Sequence, residues 1–307
     1  MPGALAHFLF ATRLEEPLDE AFRLGTQGPD PFFFYGMVPW KKRIAAKEIQ
    51  SLGEEIHRSD FAKQYAAMIF FAQHGASEEE RPHLLSYLKG VLAHYALDRT
   101  CHPYIFYRSG FDEQGLLTGH YSFAHKEFEA LLDLTLSEEF HFSRSPSKAM
   151  KISKPLAKSL SLLWSKSGYE NIGEETFLFA YQDYLTIENF LQSNTGWKRP
   201  IWKALNKEGA MYGFTYPHSA KKEKEKDVLN LSAKEWLDPC TGEKSCATFL
   251  DLMENAREYY LKGLAIIEAN LTLDDTQRKL SSWEGSIDHD GSPYGVKKTH
   301  YDIHNPF

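Results

Sequence analysis

Residues 84–103, LLSYLKGVLAHYALDRTCHP, decide the fold class. Leu84, Leu85, Tyr87, Leu88, Val91, Leu92 and Tyr95 recur at the spacing of one helix face. Pro82 suits the first turn of this helix, where a missing N–H costs nothing, and Pro103 should end it. Over the apolar pattern, His94, Asp98 and His102 stand four residues apart. That spacing places two imidazoles and a carboxylate on one stripe of the helix.

The helical period extends in both directions. Ala4 to Arg13 reads as a short helix, and GTQGPDP at 25–31 as a loop. Between Ala45 and Ala76, Ile49, Leu52, Ile56, Phe61, Tyr65, Met68 and Ile69 keep helical spacing, with Ser59 or Asp60 as the cap dividing two helices. SFAHKEFEALLDLTL at 122–136 predicts another helix, capped by Ser122. Residues 155–166, 174–194 and 246–271 also fit helices, and SSWEGSIDHDGSPYG at 281–295 reads as a turn-rich tail after a last short one. No convincing strand and no repeat is visible. The run KKEKEKD at 221–227 reads as a solvated surface loop. With no clean linker in 195–245, the expected architecture is a single all-α domain over 1–307.

Composition limits the function. A chain of 307 residues can bury a sizeable core. At 42% hydrophobic and 25% charged residues it reads as globular. A net charge of −7 makes nucleic acid an unlikely general partner, because no basic excess is present to neutralise phosphates. No apolar run approaches the roughly 20 residues of a membrane span. The stretch MPGALAHFLFATRLEEP, broken by His7 and Arg13, does not read as a leader, so a cytoplasmic location is expected. Cys101, Cys240 and Cys246 are too few for a disulfide framework and are expected as free thiols, although Cys240 and Cys246 are near enough in sequence to pair. The aromatic clusters PFFFYGMVPW at 31–40 and YIFYRSGF at 104–111 read either as loops packed on the core or as the apolar mouth of a site.

The chemistry gathers around paired imidazoles and carboxylates. His125 and Glu129 repeat the four-residue spacing on a later helix. Imidazole nitrogen and carboxylate oxygen together suit zinc and other divalent transition metals, iron and manganese included. In VLAHYALD the flanking positions are apolar, and an unpaired buried acid and imidazole would be costly without a cation. Taken singly, His7 reads as a core histidine, Asp30 as a turn residue and His57 as a surface residue. His120 competes with His125, whose pairing with Glu129 favours it. His218 reads as a loop histidine, and His300 and His304 as tail residues. His289, between Asp288 and Asp290, resembles a chelating tripeptide but reads as part of a solvated acidic loop. Cys101 points about 100° from His102 and reads as a packing residue. No P-loop, dinucleotide fingerprint or GxSxG elbow is present.

In order along the chain, LGTQGPDPFFFYG, EEIH, YLKGVLAHYALDRTCHPYI and GHYSFAHKEFE resemble the zinc-dependent phospholipase C family of bacteria. The resemblance runs from about residue 4 to about residue 135 and is most specific in GVLAHYALDRTCHPYI. It implies a multi-helix bundle around a cluster of two or three zinc ions, with the metal-ligand half at about 1–135 and a helical remainder at 136–307. It also implies ligand roles. Asp30, His57, His94 and Asp98 would surround one metal, and His102, His125 and Glu129 a second. Asp98 would bridge to a third, which His7 would also bind. Secreted members complete that third site with an amino-terminal Trp, and this sequence shows none near its start. The implied activity is hydrolysis of a phosphodiester, such as a phospholipid head group, by water activated on the metals, with Asp30 as the catalytic carboxylate. A nuclease, a phosphomonoesterase or a noncatalytic metal-binding protein on the same scaffold are the alternatives.

Overall fold

The computed structural model describes residues 3–142, 148, 150–191, 200–201, 215 and 227–302. His218, His304 and residues 221–226 of the charged run lie outside them. The described residues form α1 (Ala4–Ala11), α2 (Glu20–Gly25), α3 (Asp30–Phe33), α4 (Ala46–Arg58) and α5 (Phe61–Phe70), which a π-helical turn, Phe71–Gly75, extends. Then follow α6 (Arg81–Ser109), α7 (Gly119–Glu139), α8 (Lys154–Lys166), α9 (Glu174–Leu191), α10 (Phe249–Glu268) and α11 (Leu273–Glu284). Between α9 and α10 lies a two-stranded antiparallel ribbon, β1 (Trp236–Leu237) with β2 (Lys244–Ser245), in a stretch where no strand is expected. The architecture is otherwise all-α and single-domain.

The axis of the fold is α6. Its 29 residues span about 43 Å, and α1, α2, α7, α8 and α10 all pack on it. The apolar stripe explains this: Leu84, Tyr87, Leu88, Leu92 and Tyr95 are all buried. Two glycines let α2 approach closely. A Cβ on Gly25 would meet the Tyr87 carbonyl oxygen at 2.1 Å, and one on Gly90 would meet the Phe22 carbonyl oxygen at 2.3 Å. Two buried core hydroxyls are satisfied here: Trp164 Nε1 donates to Tyr87 Oη at 2.9 Å, and Tyr181 Oη donates to the Leu24 carbonyl at 2.8 Å.

Two local expectations need correction, and one open choice is decided. Pro103 does not end α6, which continues to Ser109 and stops at Gly110, where φ is +76°. The proline removes the donor for the Arg99 carbonyl, and the backbone of Gly291 packs over that turn instead. A Cβ on Gly291 would lie 2.4 Å from the Arg99 oxygen and 2.7 Å from Pro103 Cδ. Ser122 is not the cap of α7, which starts three residues earlier after Thr118. The Thr118 hydroxyl donates to Asp112 at 2.5 Å, closing the preceding loop rather than capping. Of the two candidates between α4 and α5, Asp60 is the N-cap, accepting from Lys63 N at 2.8 Å.

The aromatic clusters divide between core and site. Phe32, Phe34, Tyr104, Ile105 and Phe111 are core residues, and 104–109 belongs to α6 rather than to a loop. Phe33, and the buried core residue Phe106, lie against His57 and His125, with ring centroids 5.1 and 4.9 Å away. Cys101 is fully buried, and Cys240 and Cys246 are unpaired thiols. Among the described residues, no helix is long and apolar enough to cross a membrane.

Candidate metal centre

Five helices converge on a set of buried imidazoles and carboxylates. His7 comes from α1, whose start is held by Asp133 of α7, accepting from Leu5 N at 3.2 Å and Ala6 N at 2.9 Å. Asp30 opens α3, directly after the loop that ends α2, and His57 lies in the last turn of α4. His94, Asp98 and His102 rise along α6, and His125 and Glu129 sit one turn apart on α7. These side chains form three groups whose donor atoms lie within 4.8 Å of one another: His7, His94 and Asp98; Asp30, His57 and His94; and His102, His125 and Glu129. Each group can hold a metal ion. His120, by contrast, is exposed.

The distances are short and carboxylate-centred. Asp98 Oδ1 is 3.1 Å from His7 Nε2, and Asp98 Oδ2 is 3.0 Å from His94 Nε2. Asp30 Oδ1 lies 3.2 Å from His57 Nε2 and 3.8 Å from His94 Nε2. Glu129 Oε1 is 3.0 Å from His125 Nε2. Asp98 thus faces two imidazoles with its two oxygens, and His94 faces two carboxylates with one nitrogen.

The rear nitrogens determine what the front ones offer. His57 Nδ1 donates to the Gly53 carbonyl at 2.6 Å, His94 Nδ1 to Thr26 at 3.3 Å and His102 Nδ1 to His289 at 2.6 Å. His125 Nδ1 donates to Ser109 Oγ at 3.1 Å, a hydroxyl that itself donates to Ile105. A carbonyl only accepts, so each Nδ1 that faces one carries the hydrogen, and the neutral ring presents a lone pair at Nε2.

These lone pairs test whether a metal fits. Nε2 of His7, His57, His94 and His102, Oδ1 of Asp30 and both Asp98 oxygens are buried and make no hydrogen bond. A nitrogen lone pair facing a carboxylate oxygen at about 3 Å is repulsive, and a cation between them makes the contact attractive. The residues present therefore fit a divalent ion with nitrogen and oxygen ligands, without distinguishing zinc from iron or manganese.

The electrostatics agree. Burial holds His7, His102 and His125 below the ordinary imidazole value, with His102 at about 3, so these rings are neutral at physiological pH, as metal binding requires. His94 goes the other way. Burial lowers it, but the charges of Asp98 and Asp30 outweigh burial and raise it. Burial would raise Asp98, yet His94, His102 and His7 hold it well below the carboxylate range. Glu129 is likewise pushed up by burial and pulled down to about 2 by positive groups, His125 among them.

One residue near the centre corrects the sequence reading. His289 is not in a solvated loop; it is 1% exposed. Its ring lies 4.8 Å from Tyr95 and 4.9 Å from His57. The only signal in the sequence is an imidazole between two acids, and its burial depends on contacts almost two hundred residues away. His300 is half-buried near Gly242, away from the three groups. Compared with known proteins, the chain matches no family model, no curated protein and no solved structure.

Proposed function

We propose that this chain is a metal-dependent phosphoesterase that hydrolyses a phosphodiester, a phospholipid head group being the first candidate substrate. One observation carries the metal part: seven buried donor atoms on His7, Asp30, His57, His94, Asp98 and His102 converge without a hydrogen bond. The phosphoester part rests on the resemblance to zinc-dependent phospholipases C, whose motif order these residues follow. His7 and Asp98 would hold one ion and Asp30 and His57 another, the single Nε2 lone pair of His94 serving one of the two, and His102, His125 and Glu129 would hold a third. Bound there, divalent ions supply an acidified water and a clamp for phosphoryl oxygens. Asp30 is the proposed carboxylate that accepts the proton from the attacking water. Phe33 and Phe106, against His57 and His125, border the substrate and exclude bulk water.

The complete burial of His94, Asp98 and His102 favours a second reading, a noncatalytic metal-binding protein whose coordination positions are closed. Metal analysis of the purified chain, followed by assay on bis-p-nitrophenyl phosphate, p-nitrophenyl phosphate, short-chain phosphatidylcholine and single-stranded DNA, separates the two. Two or three metal equivalents with turnover on the diester or the lipid support the phosphodiesterase. Metal without turnover on any of the four supports the noncatalytic reading. Absence of metal from folded, zinc-reconstituted protein overturns both.

A further inference from the structure

The segment after α11 is tied into the metal centre at a single residue. The His289 carbonyl accepts from His102 Nδ1 at 2.6 Å. The His289 amide and its ring Nδ1 both reach the His57 carbonyl at 3.3 Å. His57 and His102 belong to different ligand groups and different helices, so His289 is a bridge between the end of α4 and the C-terminal third of α6.

The rest of the segment holds that bridge in place. Tyr95 Oη donates to the Ile287 carbonyl at 2.5 Å. Gly291, at φ +70°, nests on the turn of α6 where Pro103 leaves the Arg99 carbonyl without its helical donor. Lys298 Nζ pairs with Asp290 at 2.9 Å and lies 4.1 Å from the centroid of Phe106, the ring that borders His125. The Asp302 amide donates to the Tyr107 carbonyl at 3.0 Å, near the end of α6. The segment therefore follows α6 along the turns that carry the ligands.

We infer that His289 is a positioning residue of the metal centre, and that residues 286–302 form a clasp that orients His57 and His102 and retards metal loss. The inference rests on the metal reading above. Its physical basis is the hydrogen bond behind the ligand. An acceptor fixed at His102 Nδ1 sets which nitrogen faces the ion and how the ring is turned, and losing such an acceptor commonly weakens metal binding by about 10–100-fold. His289 has no role in bond making. It acts through His57 and His102.

The test uses cobalt(II) as the probe on the full-length chain, comparing the parent with His289→Ala and Gly291→Val. The first removes the ring that holds the residue to His57 and Tyr95. The second sets a branched side chain against the Arg99 oxygen and lifts the clasp without touching a ligand. Expected are a roughly 10–100-fold faster release of cobalt to chelator and a changed visible absorption band, with the helical circular dichroism of the metal-free chains preserved. If Gly291→Val fails to fold, Gly291→Ala takes its place, because its Cβ alone meets the Arg99 oxygen, whereas His289→Ala keeps the backbone carbonyl that His102 uses. Release rates and spectra equal to the parent would overturn the clasp while leaving the metal centre standing. A parent chain that binds no cobalt would overturn the metal reading itself.

Discussion

His7 and His94 stack face to face, with ring centroids 4.2 Å apart and planes inclined by 20°. Both Nε2 atoms face Asp98, one toward each oxygen. Two imidazolium rings in this arrangement would repel, and His94 accordingly adds to the burial that lowers His7. A metal ion between them would satisfy Asp98 and both Nε2 lone pairs. The pair therefore adds a polar link between α1 and α6 to the apolar packing of Leu5 and Leu9 in the shared core.

Asp98→Asn keeps the side-chain shape but replaces one oxygen of the bridge with an amide that cannot ligate. The variant is expected to lose at least one metal equivalent by elemental analysis while keeping its helical content. Unchanged metal content would remove Asp98 from the bridging role.

Gly28 stands behind His94 with φ +49°, and a Cβ there would lie 2.3 Å from His94 Cδ2. Gly28→Ala combines a strained backbone with a displaced ring. Isothermal titration with zinc is expected to show at least about tenfold weaker binding, as for a misoriented ligand. Parent-like affinity would mean that His94 does not need its observed orientation.

Asp133 accepts from the amides of Leu5 and Ala6 in the first turn of α1. Asp133→Ala removes that buried acceptor and should cost about 1–3 kcal/mol in urea unfolding. Because α1 carries His7, the same change should also weaken the group that His7 joins. A loss of stability with undiminished metal content would confine Asp133 to the helix start.

Acidification should destabilise the metal-free chain. Burial holds His7, His102 and His125 below 6.5 in the folded state. Once unfolded, they titrate near 6.5. As pH falls below about 6.5, the unfolded chain binds more protons than the folded one, and stability drops by about 1.4 kcal/mol per pH unit for each such proton. Asp98 and Glu129, both depressed, extend the loss to lower pH. His94 alone among these imidazoles opposes the trend. Thermal midpoints of the stripped protein at about pH 7.5 and about pH 5.0, on either side of the imidazole range, check this. An equal or higher midpoint in the more acidic buffer would contradict it.

How much of the site is legible in the sequence follows from locality. The α6 stripe and the His125–Glu129 pair depend on four-residue spacing within one helix, so the linear pattern alone displays them. His7, Asp30 and His57 are single residues on separate elements, and only the resemblance to a known motif order joins them to the cluster. Pro103 and His289 depart from their local patterns for one shared reason. Pro103 stays inside α6, and His289 is buried, because the 286–302 segment packs over the Arg99–Pro103 turn. That contact joins positions about 190 residues apart, and no pattern within either stretch announces it.

Three candidate ligands on one uninterrupted helix also make α6 a ruler. From His94 to His102 is eight residues, or about 12 Å of rise, and no loop can adjust it. Inserting a single residue between Asp98 and His102 would turn one ligand by about 100° relative to the other. The tolerated changes in this stretch are therefore substitutions, and its length is as constrained as its side chains.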